Sequence, residues 1–226
     1  MRVAVVGYGR MGREVEAVLR ERGHEPAVVR RGEAFPAGCA AAVDFTRAES
    51  VVPNVAAALA AGARCVVGTT GWSDRVPEIR HLVETHGGGL VHAANFSLGV
   101  NLFYRLAREA SGLLAAFPDY DPWLVERHHA AKRDAPSGTA KVLAGIVAAS
   151  RSDGRAPAVA SVRAGGIVGD HCLGFASGGD EIVIEHRARS RRGFALGAVL
   201  AAEWIAERTG FHAFETALDD LLRSRK

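Results

Sequence analysis

The first residues of the chain place a glycine pattern between a predicted strand and a predicted helix. Residues 2–6 (RVAVV) are short, apolar and β-branched, which is typical of a buried strand, and residues 10–22 carry the apolar spacing of a helix. The pattern between them, G-x-G-x-x-G, allows a tight turn, close approach of the backbone to a pyrophosphate, and close packing of helix on strand. It predicts a dinucleotide site at the helix N-terminus, although the same glycines could form a turn that binds nothing. The candidate cofactor-binding residues are Gly7, Tyr8, Gly9, Arg10, Met11 and Gly12.

The residues after the second predicted strand indicate which dinucleotide binds. Folds of this kind usually carry an acid about 20 residues after the glycines, where it holds the ribose 2′-hydroxyl. This chain has Arg30 and Arg31 instead. Because two guanidiniums can pair with a 2′-phosphate through charge-assisted hydrogen bonds, we expect NADPH to be preferred, with NADH still possible. The alternative is that one or both arginines point into solvent.

Strand-like and helix-like segments alternate through the first 97 residues. Further strands are predicted at 27–29, 41–45, 64–67 and 89–92, and further helices at 49–61 and 77–85. Alternation with short connections predicts an α/β domain with a Rossmann-type, doubly wound parallel sheet. We therefore expect residues 1–97 to form a dinucleotide-binding domain.

The order of elements changes after residue 97. Helices are predicted at 100–117 and 139–149 around a strand at 121–126, and residues 159–187 then hold strand-like runs without helices between them. These features indicate a second, α+β domain at 98–192, whose open mixed or antiparallel sheet is covered by helices on one face. Two more helices are predicted near the end of the chain, at 194–208 and 214–222.

The most specific stretch of the sequence is 126–140. It contains two adjacent histidines, His128 and His129, then Lys132, and then a Pro-Ser-Gly-Thr sequence that begins a helix. Ser137 is a candidate N-cap, and the free N–H groups of the first helical turn would suit a carboxylate. One loop thus offers a proton donor, a cation and an anion pocket, an inventory that fits a small dicarboxylate. A lone histidine is usually structural, but this combination makes that interpretation weak.

This stretch, E-x-H-H-x-x-K-x-D-A-P-S-G-T-A, resembles the signature of the 4-hydroxy-tetrahydrodipicolinate reductase (dihydrodipicolinate reductase) family. Other landmarks of that family recur in order over essentially the whole chain. They are Gly-Arg-Met-Gly at 9–12, Asp-Phe-Thr at 44–46, Gly-Thr-Thr-Gly at 68–71, Asn-Phe-Ser-Leu-Gly-Val-Asn at 95–101, Arg-Ala-Gly at 163–165, Gly-Asp-His at 169–171 and the segment 190–195.

The resemblance implies a role for each matching position. His128 is similar to the family's general acid and Lys132 to its electrostatic and substrate-binding partner, so these two are the candidate catalytic residues. The candidate substrate-binding residues are His129, Ser137, Gly138, Thr139 and Arg191. Further candidate cofactor-binding residues, around the nicotinamide, are Gly68, Thr69, Thr70, Ala93, Ala94, Asn95 and Phe96.

The resemblance also implies the reaction and the assembly. It implies NAD(P)H-dependent reduction of 4-hydroxy-tetrahydrodipicolinate to tetrahydrodipicolinate, in the diaminopimelate and lysine pathway. It implies that about 193–226 completes the first domain, and that 98–192 binds substrate and assembles a homotetramer through its sheet. The chain departs from the family in having Ala94 where proline is usual, a basic pair at 30–31 and a shorter first domain. Two alternatives remain: an NADPH-dependent reductase of a different cyclic imine or dicarboxylate, and a non-catalytic nucleotide sensor.

Composition narrows the remaining classes. The formal net charge of +3 is small and spread along the chain, which argues against a nucleic-acid partner. Three separated cysteines without a CxxC spacing fit a reducing cytoplasm and argue against a zinc site, so no metal is expected. No apolar run is long enough for a membrane helix, and no signal peptide is expected. The residues that we assign to core packing are His171, Cys65, Cys172, Trp72, Trp123 and Trp204.

Overall fold

The computed structural model describes residues 1–224. The chain divides into two compact units, one of Met1–Leu98 with the chain from Arg191 onward, and one of Gly99–Ser190. In chain order the strands are β1 (Arg2–Val6), β2 (Glu25–Val29), β3 (Ala41–Asp44), β4 (Arg64–Val67), β5 (Gly89–His92), β6 (Asp121–His128), β7 (Ala158–Arg163), β8 (Asp170–Ala176), β9 (Glu181–Arg187) and β10 (Gly210–Ala213). The helices are α1 (Arg10–Glu21), α2 (Ala48–Ala60), α3 (Val76–Thr85), α4 (Leu98–Leu114), α5 (Gly138–Ser150), α6 (Arg192–Ile205) and α7 (Phe214–Arg223).

The first unit is a parallel sheet with helices on both faces. Its strand order is β10-β5-β4-β3-β1-β2, and every neighbouring pair is parallel. Strand β3 is buried along its whole length, as expected where helices cover both sides. One core layer packs the sheet against α1, α6 and α7, and a second layer packs it against α2 and α3. The predicted Rossmann-type fold is therefore confirmed.

The topology creates a crevice at one edge of this sheet. Strand β1 pairs with β2 on one side and with β3 on the other, so the order in which strands are added to the sheet reverses between β1 and β3. In open parallel sheets of this type, ligands bind outside the carboxyl ends of the strands at such a point. The segments that leave these two ends are the glycine turn after Val6 and the Phe45-Thr46 segment after Asp44.

The last helices of the chain belong to the first unit, and so does a strand that the sequence analysis did not predict. Strand β10 is a four-residue segment that pairs in parallel with β5 at the sheet edge. The other predicted elements are present, with bounds that shift by a few residues. The helix predicted at 194–208, for example, is α6 and ends at Ile205.

The second unit is a mixed sheet with one covered face. Its strand order is β7-β6-β8-β9, with β6 and β7 parallel and the other neighbours antiparallel. Alternate residues of the central strands, such as Leu124 and Leu173, pack against Phe103 of α4 and Leu143 of α5. The prediction of a mixed sheet covered by helices on one face is confirmed. Within residues 1–224, none of the helices combines the length and the apolar character that crossing a bilayer requires.

Candidate active site

The glycine turn after β1 has the geometry that close backbone approach requires. Gly7 adopts a φ of +85°, and a Cβ there would lie 2.7 Å from Thr46 Cγ2. A Cβ on Gly12 would lie 2.1 Å from the Gly7 carbonyl oxygen, so only glycine lets α1 pack this closely on the turn. At Gly9, by contrast, an added Cβ would meet no atom within 4 Å. The turn is thus closed on the protein side and open where Gly9 begins the helix, which fits a diphosphate on the free N–H groups.

A cleft of about 440 Å³ continues from this turn. Its lining includes Gly7, Gly9 and both predicted arginines, Arg30 and Arg31. The Arg30 guanidinium lies 5.3 Å from the centre of the Tyr8 ring. A third arginine, Arg47, also lines the cleft and was not singled out in the sequence. The feature of the sequence that could have indicated Arg47 is its position directly after the Asp-Phe-Thr segment that leaves β3. The glycine turn and this cleft together fit a dinucleotide.

A buried carboxylate fixes the loops that follow β3 and β4. Asp44 accepts hydrogen bonds from Thr46 N and Oγ1 at 2.8 and 2.7 Å, from Asn54 Nδ2 at 2.8 Å and from Thr69 Oγ1 at 3.0 Å. Burial raises the pKa of Asp44, and these hydrogen bonds oppose the rise. A Cβ on Gly68 would lie 2.1 Å from the Phe45 ring, so the two loops meet without a gap.

Four of the candidate nicotinamide residues share one cavity. Thr69, Thr70, Ala93 and Ala94 line a cavity of about 190 Å³, which they share with Trp72.

Phe96 differs from these residues because its side chain is 1% exposed. Its ring packs 4.8 Å from the Phe214 ring, between centroids, and belongs to the core of the first unit. Only its main chain is therefore available to a ligand. Asn95 precedes it and shapes the turn, since its Oδ1 accepts a hydrogen bond from Ser97 N at 2.8 Å.

In the second unit, the strand β6 carries the candidate proton donor at its last residue. Glu126 and His128 are two positions apart and therefore point to the same, covered face of the sheet. His128 is 8% exposed, and its Nδ1 is joined to Glu126 Oε2 by a short hydrogen bond. Burial lowers the pKa of His128, while the Glu126 carboxylate acts to raise it.

Both carboxylate oxygens of Glu126 are hydrogen-bonded within the protein. The Arg163 guanidinium donates to both carboxylate oxygens, at 2.9 and 2.7 Å, and Ser137 N donates to Oε1 at 3.3 Å. Burial opposes ionisation, but the hydrogen bonds from Arg163 and those with Ser161 and His128 hold the pKa of Glu126 at about 2. A charged carboxylate therefore lies beside the histidine.

Ser137 begins α5 as its N-cap. Its Oγ accepts a hydrogen bond from Ala140 N at 3.2 Å and lies 3.0 Å from His171 Nε2. Burial lowers the pKa of the His171 ring to about 4 and keeps it neutral, and the direction of its hydrogen bond with the hydroxyl depends on which ring nitrogen carries the hydrogen. The predicted N-cap is confirmed, but the hydroxyl already has partners within the protein. The donors left for a ligand are the N–H groups of Gly138 and Thr139 in the first helical turn.

The remaining candidates have different surroundings. Lys132 donates from Nζ to both oxygens of Asp134, at 2.7 and 3.0 Å. His129 is exposed next to His128. Arg191 is exposed at the start of α6 and belongs to the first unit, whereas the other candidate substrate residues belong to the second.

Glu126, His128 and His171 offer three possible metal ligands with atoms within 4.8 Å of one another. The Arg163 guanidinium occupies both carboxylate oxygens, however, and a cation there would face that fixed positive charge. The arrangement favours a hydrogen-bonded network over a metal centre.

Three residues of this network were absent from the predicted site, namely Glu126, Arg163 and His171. Glu126 has a sequence signal, because its spacing from His128 places both on one face of a strand. Arg163 pairs in register with His128 across β6 and β7, and His171 pairs with Glu126 across β6 and β8. His171 is buried at 4% exposure, as its assignment to the core requires, but its ring also lies edge-on to His128 with centroids 5.1 Å apart.

Comparison with known proteins identifies the family. The chain matches the family models for the dihydrodipicolinate reductase N-terminus over residues 23–96 and C-terminus over residues 99–218. The chain belongs to the dihydrodipicolinate reductase family. The resemblance read from the sequence is thereby confirmed, and both His128 and Lys132 lie within the C-terminal match of this family.

Relatives in this family align with nearly the whole chain. A 4-hydroxy-tetrahydrodipicolinate reductase of Christiangramia forsetii is 32% identical over 239 aligned positions, covering 99% of this chain and 100% of the relative. One of Natronomonas pharaonis is 38% identical, covering 95% and 99%. The fold is also that of a dipicolinate-bound dihydrodipicolinate reductase from Paenisporosarcina sp. TG-14, with a TM-score of 0.78, 24% identity, and coverage of 96% of this chain and 98% of that one.

Proposed function

We propose that this chain reduces 4-hydroxy-tetrahydrodipicolinate to tetrahydrodipicolinate with a nicotinamide cofactor, in the diaminopimelate and lysine pathway. Full-length relatives of that name support the proposal. The structural observation that carries it is a buried His128, bonded to a charged Glu126, in the unit that also holds Lys132 and the start of α5. The free thiols Cys39, Cys65 and Cys172 agree with a reducing cytoplasm, where we expect the enzyme to act.

The proposed mechanism assigns the proton to this chain. The reduced nicotinamide, when bound, supplies the hydride. The substrate first loses its 4-hydroxyl as water, and reduction of the resulting cyclic, unsaturated imine then requires a proton as well as the hydride, because negative charge moves toward the ring nitrogen. His128 donates that proton as general acid, a role that typically contributes ~10²–10⁴-fold. The Glu126 carboxylate favours the protonated ring that this role needs.

The substrate's two carboxylates need cationic or N–H partners. We propose that the N–H groups of Gly138 and Thr139 hold one of them, with His129 and Arg191 as further contacts and the Ser137 cap keeping the turn in place. The Lys132 ammonium would bind a carboxylate and stabilise the developing charge. Asp134 binds Lys132 when no substrate is present, so the substrate carboxylate would replace Asp134 as the partner of the ammonium.

We propose that NADPH is preferred over NADH because Arg30 and Arg31 line the nucleotide cleft. Charged hydrogen bonds contribute roughly 1.5–3 kcal/mol each, which corresponds to about 10- to 100-fold in affinity per effective contact. Exposure to salt discounts this range, since both arginines are at the surface. The check is kcat/KM for both cofactors in the wild type and in Arg30→Ala/Arg31→Ala.

The double variant should lose most of its preference for NADPH while its kcat/KM for NADH changes little. Arg155→Ala, at an exposed arginine of the second unit, serves as the control and should keep the wild-type ratio. If the wild type prefers NADH, or the double variant keeps its full preference, these arginines do not recognise the 2′-phosphate. Arg47, which lines the same cleft, would then be the next residue to replace.

We propose that the second unit assembles the protein into a homotetramer through its open sheet face. The strand register puts Trp123, Val125, Val162 and Val183 on that face, and Val162 and Val183 are 40% and 46% exposed. An uncovered sheet face that carries exposed valines beside the ion pairs of Glu185 with Arg127 and Arg187 is stabilised by a partner, and a second copy of the same sheet is the partner that closed symmetry favours.

Light scattering coupled to size-exclusion chromatography should give the mass of four chains for the wild-type protein at micromolar concentration. Val183→Glu should shift that mass downward, because it would place a charge in the interface. Val142→Glu, at a valine of α5 that is 47% exposed, should not. A stable wild-type monomer would contradict the proposal.

A further inference from the structure

The carboxylate of Glu126 is locked before any ligand binds. It is fully buried, and each oxygen has two partners: Arg163 Nη2 and Ser137 N at Oε1, and Arg163 Nη1 and His128 Nδ1 at Oε2. Arg163 is in turn fixed by the backbone, since it donates to Val162 O at 2.8 Å and to Asp134 O at 2.6 Å. Neither side chain can turn away without leaving the buried Glu126 carboxylate without its ionic partner, which is unfavourable.

This arrangement determines which nitrogen of His128 carries the hydrogen. A carboxylate can only accept, so Nδ1 must be the donor toward Glu126. The other nitrogen, Nε2, lies over Gly169, where an added Cβ would approach it to 3.0 Å. A glycine at this position therefore leaves the space beside Nε2 that a side chain would fill.

We infer that Glu126, anchored by Arg163, is a positioning residue that fixes His128 in the Nδ1–H tautomer and directs Nε2 to the substrate as the proton-donating atom. The inference rests on the proposed function for the substrate, but the tautomer itself does not depend on it. Glu126 touches no reacting atom in this account and acts only through His128.

The charges around His128 give the inference a signature in the pH profile. Glu126 on β6 is the group that stabilises the imidazolium, whereas Arg163 on β7 and Lys132 in the loop after β6 disfavour it. His171 on β8 is neutral and faces the same ring. Removing only the Glu126 charge leaves the two cations unopposed, so the pKa of His128 must fall. A general acid is active while it is protonated, and its alkaline limb would therefore move to lower pH.

The test uses Glu126→Gln in the full-length protein. In the pH profile of kcat/KM, the alkaline limb should move down by at least about one unit, which is a tenfold change in the protonation equilibrium of His128. Glu126→Asp keeps the charge and should restore part of that shift. Asp153→Asn, which also removes a carboxylate bonded twice by an arginine, should leave the profile unchanged. A folded Glu126→Gln enzyme with the wild-type profile would overturn the inference.

A second readout depends neither on turnover nor on the folding of a Glu126 variant. Ring ¹⁵N spectra of histidine-labelled wild-type protein, with His128 assigned by comparison with His128→Gln, should show the Nδ1–H tautomer above the pKa of His128. An Nε2–H signal for His128 in the wild type would overturn the inference. Because no substrate is added, this result is separate from the proposed reaction: the tautomer could be as inferred while the enzyme fails to reduce 4-hydroxy-tetrahydrodipicolinate.

Discussion

Replacing His128 with glutamine is expected to lower kcat by about 100-fold or more and to leave NADPH binding nearly unchanged. Proton donation is a role in the transition state, so its loss reduces turnover more than ground-state binding. Glutamine can still accept or donate a hydrogen bond near Glu126, but it cannot deliver a proton at neutral pH. The measurement pairs kcat with the Kd for NADPH, read from the change in nucleotide fluorescence.

The matched control for this variant is His81→Gln, at an exposed histidine of α3 in the first unit. It should behave as the wild type in both measurements. A His128→Gln enzyme with wild-type turnover would show that the proton comes from another group or from water.

Replacing Lys132 with alanine is expected to raise the KM for the substrate and also to reduce kcat, with a combined loss in kcat/KM of about 10- to 100-fold. The range corresponds to a charged hydrogen bond of roughly 1.5–3 kcal/mol, strengthened where water is excluded. The ion pair with Asp134 reduces the loss, because the ammonium must leave that carboxylate before it can bind another. Steady-state kinetics over a range of substrate concentrations separate the two parameters.

The Lys132→Arg variant tests whether any cation at this position is sufficient. A planar guanidinium does not occupy the place of a compact ammonium, so we expect it to restore activity poorly. Lys141→Ala, at an exposed lysine of α5, controls for the loss of a positive charge from the same unit and should be silent. A fully active Lys132→Arg enzyme would mean that any nearby cation suffices.

The parts of the fold that sequence predicted are those specified by local patterns. The alternation of short apolar strands with amphipathic helices gave the parallel sheet, since each pattern depends on residues only a few positions apart. The glycine turn was predictable for the same reason: Gly7 needs its positive φ and Gly12 its missing Cβ within a single turn. Ser137 was recognised as an N-cap because the cap is defined by its own helix.

The parts that sequence missed depend on pairing between distant segments. Strand β10 (Gly210–Ala213) lacks the apolar or β-branched run of the other four-residue strands, and it is ordered by pairing with β5, far away in sequence. Arg163 and His171 reach Glu126 and His128 only through the register of β7 and β8 against β6, which no local pattern specifies. The assignment of His171 to the core followed from its apolar neighbours, and nothing local showed that its ring would lie against the proton donor.

The most direct test of the proposed function is NADPH oxidation, followed at the absorbance band of the reduced nicotinamide, in the presence of the product of a coupled dihydrodipicolinate synthase. We expect oxidation that requires this substrate, together with enzyme and cofactor, and that nearly disappears with His128→Gln. Oxidation that occurs only with another cyclic imine or dicarboxylate would contradict the substrate assignment. Tight NADPH binding without turnover on any member of such a panel would contradict the assignment as an enzyme.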